Sequence, residues 1–90
     1  MNKMPVISIF YGIFIYMYFD QHEHNPPHFH VKYQNYEASF TFDGELLKGD
    51  LPKKQISFVK AWAAIHEDDL KTNWELLKKE GRAEKIEPLR

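Results

Sequence analysis

The chain has no cysteine among its 90 residues. This absence excludes disulfides, cysteine-containing zinc sites and thiol nucleophiles. Because small secreted domains usually depend on disulfides, it also favours a reducing, cytoplasmic location. A core has to form without covalent cross-links, and a hydrophobic content of 43% is sufficient for one small domain.

The chain also lacks a strong net charge, because 12 Lys and Arg residues balance 13 Asp and Glu residues to give −1. Nucleic-acid-binding domains of this size are usually distinctly basic, so the balance argues against extended, non-specific binding to phosphates. A small local site remains open, since basic residues cluster in the second half, at Lys53-Lys54 and Lys78-Lys79 among others.

Long apolar runs are missing as well. The apolar stretch near the start covers residues 5–19 and is shorter than the roughly 20 apolar residues of a membrane helix. It does not resemble a signal peptide, because Lys3 is the one early basic residue and Asp20-Gln21-His22 follows in place of small residues. We interpret the stretch as buried β-structure and expect no membrane partner.

Patterns along the chain predict one domain over residues 1–90, with a loose leader at 1–4 and an extended tail at 82–90. Runs rich in β-branched and aromatic residues predict strands that pair as two hairpins, 5–10 with 12–19 and 28–33 with 36–43. Residues 44–49 are typical of a turn or a short edge strand.

The second half has helical periodicity. Apolar residues recur at spacings of three and four after Pro52, which is itself favourable at a helix start. The acidic run Glu67-Asp68-Asp69 favours a second helix N-terminus, and Gly81 is typical of a helix end. The predicted fold class is α+β, an antiparallel sheet of about four strands packed against one or two C-terminal helices.

The second hairpin places polar side chains on one face. With a two-residue turn at Gln34-Asn35, counting outward pairs Lys32 with Glu37, His30 with Ser39, and His28 with Thr41. The alternating residues on the other face are apolar or aromatic. The sequence therefore predicts a polar surface with imidazoles, an amine, a carboxylate and hydroxyls side by side.

Histidine is concentrated close to this surface, since His22, His24, His28 and His30 fall within one short run around Pro26-Pro27. Histidine exchanges protons near neutral pH and is the commonest metal ligand. RNA cleavage through the 2′-hydroxyl needs an acid, a base and a cation, without a cofactor. The candidate catalytic residues are His24, His28, His30 and Lys32, and the candidate substrate-binding residues are Tyr33, Ser39, Thr41, Lys53 and Lys54.

Other interpretations use the same residues. His24, His28 and His30 could bind zinc and leave a position open for water, as in zinc-dependent hydrolases. The imidazoles could instead be structural, with His30 bonded across the strands to Ser39. The histidine face could also be a docking surface for a partner protein, and a homodimer is a further possibility.

Several motifs in order resemble the bacterial domain-of-unknown-function family 4160, from residue 4 to the end of the chain. They are His24-Asn25-Pro26-Pro27-His28-Phe29-His30-Val31, Gly49-Asp50-Leu51-Pro52, Ala61-Trp62 through His66, Asn73-Trp74, and Lys85-Ile86-Glu87-Pro88-Leu89. The resemblance implies a short bacterial or phage-borne protein, often encoded beside a small partner and assigned as the toxin-like half of a toxin–antitoxin pair. It implies no catalytic residues. The expected function is a toxin-like component that acts on RNA and has a cognate small antitoxin-like protein as its partner.

Overall fold

A computed structural model describes residues 5–19 and 26–90 of the chain. In these ranges five strands form one antiparallel sheet in the order β1-β2-β3-β4-β5, and two helices follow it. The elements are β1 Val6–Phe10, β2 Ile13–Tyr16, β3 His28–Tyr33, β4 Tyr36–Thr41, β5 Leu46–Gly49, α1 Lys53–Ile65 and α2 Glu67–Glu80. The predicted α+β class is confirmed. The sheet has five strands where about four were predicted, because residues 44–49 contain an edge strand. The predicted leader at 1–4 lies outside the described residues.

Both predicted hairpins are present. Tyr11 and Gly12 connect β1 to β2 with φ angles of 49° and 78°, as a two-residue turn with two left-handed residues requires. In the second hairpin Gln34 has a φ of 53°, and the register pairs Lys32 with Glu37, as the sequence predicts. The polar residues of β3 and β4 therefore lie on one face of the hairpin and the apolar residues on the other, as predicted.

The two helices cover one face of the sheet. Their buried residues include Val59, Trp62 and Leu70, which join a core with Ile15, Phe29 and other strand residues. The ring of Trp62 lies 5.6 Å from that of Phe29, edge to face. The opposite face of the sheet carries neither helix, since the core cluster contains the helical residues together with the apolar face of the hairpins.

The break between the helices lies at His66, where φ is −112° and ψ is 24°. Glu67, Asp68 and Asp69 fill the first turn of α2, where carboxylates interact favourably with the helix dipole. Gly81 ends α2 in the left-handed conformation with a φ of 70°. The sequence signals for both ends of α2 are thus confirmed.

Residues 82–90 cross the molecule without helix or strand. Ile86 is buried, and its N–H donates to the carbonyl oxygen of Ile7 at 2.7 Å. The indole N–H of Trp62 donates to the carbonyl oxygen of Glu87 at 2.8 Å. This C-terminal segment therefore ties α1 to the β1 edge of the sheet. Among the described residues, neither helix combines the length and apolar character that crossing a bilayer requires.

Candidate functional site

A groove lies on the face of the sheet that the helices leave uncovered, and we call it the open-face groove. Cross-strand pairing sets Tyr16 beside His30, His30 beside Ser39, and Ser39 beside Lys48. The resulting cavity has a volume of about 370 Å³. Its lining includes Tyr16, His30, Lys32, Glu37, Ser39 and Lys48. Four strands thus contribute one polar or aromatic residue each to a single row.

Positive charge outweighs negative charge in the groove lining. Nζ of Lys32 lies 3.8 Å from a carboxylate oxygen of Glu37, and both side chains are more than half exposed. An ion pair in such a position contributes little to stability, so this Lys32 amine is able to exchange Glu37 for an anionic ligand. Lys48 forms no ion pair within the described part of the chain. The groove can therefore receive a small anionic group.

His28 lies at the end of this face but is almost buried, with 6% of its surface exposed. Its Nδ1 lies 2.8 Å from the carbonyl oxygen of Pro26. Because a carbonyl oxygen only accepts hydrogen bonds, Nδ1 has to carry the proton, and in the neutral ring Nε2 is then the basic atom. The indole of Trp74, from α2, packs against the imidazole at a ring distance of 5.8 Å.

His30 stands between His28 and the groove. Its ring stacks on that of Tyr18 at 4.7 Å with an interplanar angle of 14°. The two imidazoles touch edge to face, with their centroids 5.0 Å apart. The structure thus brings together two of the three candidate histidines, one buried and one at the groove. His24, the third, lies outside the described residues.

The remaining candidate residues divide between the two faces. Lys32 and Ser39 line the groove, whereas the hydroxyl of Thr41 is engaged locally with Asp43 and the N–H of Glu45. The structure does not bring Tyr33, Lys53 and Lys54 to the groove. Tyr33 shares the core face of β3, and both lysines are exposed in the first turn of α1, the helix that covers this face.

Sequence reasoning missed Tyr16 and Lys48 as groove residues. Tyr16 lies in a strand with bulky residues on both faces, so the sequence pattern does not predict which face its side chain occupies. Lys48 belongs to a four-residue strand that contains two leucines and a glycine in place of an alternating pattern. Pairing 44–49 with β4 as an edge strand would have placed Lys48 near Ser39.

A metal site finds no further support in the described residues, which contain no group of three His, Asp or Glu side chains arranged around a common point. His28 and His30 are two of the three ligands proposed for zinc, and the third, His24, lies outside the described ranges. Zinc binding by these three histidines therefore stays a prediction.

Comparison with curated proteins finds no match, and comparison with solved structures finds none either. A family model described as a domain of unknown function (DUF4160) matches residues 12–75, which is more than two thirds of the chain. The matched range begins just before β2 and ends in α2, so it includes the second hairpin and the open-face groove. The chain therefore belongs to the DUF4160 family.

Proposed function

We propose that the chain is the toxin-like component of a bacterial two-gene module and that it acts on RNA at the open-face groove. One observation carries the RNA part of this proposal: His30 lines a groove with Lys32 and Lys48 and contacts a second imidazole, His28. The resemblance to proteins assigned to toxin–antitoxin pairs supports the genetic setting. The absence of cysteine supports a cytoplasmic location.

The proposed chemistry is metal-independent attack by a ribose 2′-oxygen on the adjacent phosphorus, which breaks the bond from phosphorus to the 5′-oxygen of the next nucleotide and leaves a 2′,3′-cyclic phosphate. Lys32 would hold the phosphate and stabilise the charge that develops on its oxygens. One histidine would take the proton of the 2′-hydroxyl and the other would donate a proton to the departing 5′-oxygen. His30 would act from the groove, and His28 through Nε2, since its Nδ1 is engaged with Pro26. His24 is an alternative second group. Tyr16 and Ser39 would contact the sugar or base.

The direct test is cleavage of RNA by the purified protein in the presence of EDTA. We expect His30→Gln and Lys32→Ala to lower the cleavage rate by about 10²-fold or more, the usual range for a proton-transfer group or a charge-stabilising donor. His66→Gln is the matched control, because His66 bonds to Asp69 between the two helices and lies outside the groove lining. Circular dichroism would check that each variant is folded.

Each unfavourable outcome of this experiment identifies a different error. Equal rates for His30→Gln and His66→Gln would contradict an active site in the groove. Activity that disappears in EDTA and returns with zinc would replace acid–base catalysis with the zinc-dependent hydrolase. In cells, induced wild-type protein should stop growth and degrade RNA, whereas His30→Gln should do neither.

A second candidate function is a non-enzymatic module that binds the partner protein. It is favoured by Ile9 and Phe14, which pair with each other across β1 and β2 and are 51% and 39% exposed. Phe14 also pairs with Lys32, so this apolar patch adjoins the groove. If binding is the function, Phe14→Ser should weaken the complex with the product of the neighbouring gene by at least about tenfold, since buried aromatic residues dominate interfaces. The purified wild-type protein would then leave RNA intact.

A further inference from the structure

The two edge strands of the sheet, β1 and β5, differ in whether another part of the chain covers them. At β1 the C-terminal segment covers the edge, because the N–H of Ile86 donates to Ile7 and Nζ of Lys85 donates to the carbonyl oxygen of Val6 at 2.9 Å. At β5 all four residues are exposed, and Leu46 and Leu47 are 42% and 43% exposed. An uncovered edge strand presents backbone N–H and C=O groups that can pair with another strand.

A bulge in β5 places opposite charges on the same face. Lys48 pairs with Ser39, whereas the next pair along β4 is Phe40 with Leu46, so β5 has one extra residue. The N–H of Thr41 donates to the carbonyl oxygen of Glu45 at 2.9 Å, which places Glu45 across from Thr41. Since Ser39 and Thr41 share the open face of β4, Lys48 and Glu45 share it too. Within residues 5–19 and 26–90 neither of them forms an ion pair.

We propose that a second copy of this chain pairs with β5, antiparallel and centred between Leu46 and Leu47. In that register Glu45 faces the partner's Lys48, and Lys48 faces the partner's Glu45. The leucines pair across the centre and lose their exposure to water. The contact is self-complementary, as a two-fold symmetric dimer requires.

The features of β5 favour this occupant over an arbitrary strand. Short length, a bulge and a lysine are devices that discourage edge-to-edge pairing, because an incoming strand has to accommodate the charge. A second copy supplies a carboxylate opposite each Lys48, so it is accepted where other strands are rejected.

The dimer would also extend the groove. The symmetry axis of an antiparallel strand pair is perpendicular to the sheet, so both open faces lie on one side of a continuous sheet and all helices lie on the other. The groove lining includes Lys48 and Gly49 at the β5 edge, so the two grooves open on the same face of the sheet, one on each side of the axis. Each groove then gains the partner's Glu45 beside its own Lys48.

Charge reversal tests the contact. Sedimentation equilibrium of the full chain should give a dimer for wild type, and Lys48→Glu or Glu45→Lys should raise the dimer Kd by at least about tenfold, because two symmetric attractions become repulsions. The double variant Glu45→Lys/Lys48→Glu should restore the dimer. Lys79→Glu is the matched control, since Lys79 is exposed near the end of α2 without an ion pair in the described residues.

Three outcomes would overturn the proposal. They are a wild-type chain that is monomeric at all concentrations, single variants that behave like Lys79→Glu, and a double variant that does not recover. Circular dichroism spectra that match wild type would exclude unfolding as the cause. The experiment measures mass and needs no RNA. If the dimer is not found, the proposed function is unaffected, and if RNA is not cleaved, the proposed dimer is unaffected.

Disulfide trapping provides an independent measurement. The chain has no cysteine, so any covalent dimer has to come from introduced residues. Glu45→Cys/Lys48→Cys should form a covalent dimer on mild oxidation, because the two positions face each other across the symmetry axis. Glu45→Cys alone and Lys79→Cys should remain mostly monomeric under the same conditions. A double-cysteine variant that stays monomeric would contradict the register.

Discussion

Gly49 ends β5 in a backbone conformation that favours glycine. Its φ is +83°, and a Cβ atom placed there would lie 2.1 Å from the carbonyl oxygen of Glu37. We predict that Gly49→Ala lowers the free energy of unfolding by at least about 3 kcal/mol, because left-handed strain and a clash with β4 combine. Denaturant unfolding followed by circular dichroism would measure the loss.

Gly81 is the control for this prediction, because it shares the left-handed conformation without the close contact. Its φ is +70°, and no atom of the described residues lies within 4 Å of a Cβ placed there. Gly81→Ala should therefore lower the free energy of unfolding only by the cost of the left-handed backbone conformation, about 1–2 kcal/mol. Equal losses for the two variants would contradict a steric role for the Gly49–Glu37 contact.

Asn73 is a buried polar residue whose side-chain amide nitrogen and oxygen both form hydrogen bonds with the backbone of Glu84. Its Nδ2 donates to the carbonyl oxygen of Glu84 at 2.9 Å, and its Oδ1 accepts from the N–H of Glu84 at 2.9 Å. Asn73→Ala should lower the free energy of unfolding by about 2–4 kcal/mol, since two backbone groups lose their partners. Thr72→Ala, an exposed neighbour in α2, should stay within about 0.5 kcal/mol of wild type. Thermal unfolding of both variants compares them, and similar midpoints would refute the prediction.

At the scale of elements, the register of the second hairpin could be predicted to the residue and that of β5 could not, although β4 ends at Thr41 and not at residue 43 as predicted. The hairpin has a polar two-residue tip at Gln34-Asn35 and strict alternation on both sides, so its register follows from counting. In β5 a bulge interrupts the alternation, and the pairing depends on β4. The burial of His28 could not be predicted from the hairpin sequence either, because the ring that packs against it belongs to Trp74 in α2.

The C-terminal segment acts as an element of its own, although it has no helix or strand. It supplies Ile86 to the core and satisfies buried polar groups of Trp62 and Asn73. Removing residues 82–90 should lower the free energy of unfolding by more than about 4 kcal/mol, since apolar burial and several hydrogen bonds are lost together. Urea unfolding would measure it, with a shift of the midpoint to lower urea as the expected result.

Arg82 is the control residue inside that segment. A hydrogen bond with Glu80, and a second with Glu84, raise the pKa of its guanidinium above the ordinary value. The group is exposed, however, and exposed ion pairs contribute little to stability. Arg82→Ala should therefore unfold at nearly the same urea concentration as wild type. A large loss in this variant would mean that charge, and not the docking of Ile86, holds the segment in place.

At the scale of the whole molecule, the two faces of the sheet differ in what covers them. The helices and the C-terminal segment bury one face, where the core residues lie, and the other face holds the groove with exposed Ile9 and Phe14 beside it. Sequence periodicity could identify which face of the second hairpin is apolar. It could not show that both helices pack on that face, or that Trp74 of α2 reaches His28 at the end of the other face, because this depends on how the helices return across the sheet.

A matched pair of isoleucines tests this division. Ile15 is fully buried on the helical side of β2, whereas Ile9 in β1 is half exposed on the open face. Ile15→Ala should lower the free energy of unfolding by about 2–5 kcal/mol, and Ile9→Ala by less than about 1 kcal/mol. If the open face instead contributed to the core of the isolated chain, both substitutions would cost similar amounts. A small loss at Ile9 would show that the fold of the isolated chain does not depend on this apolar surface.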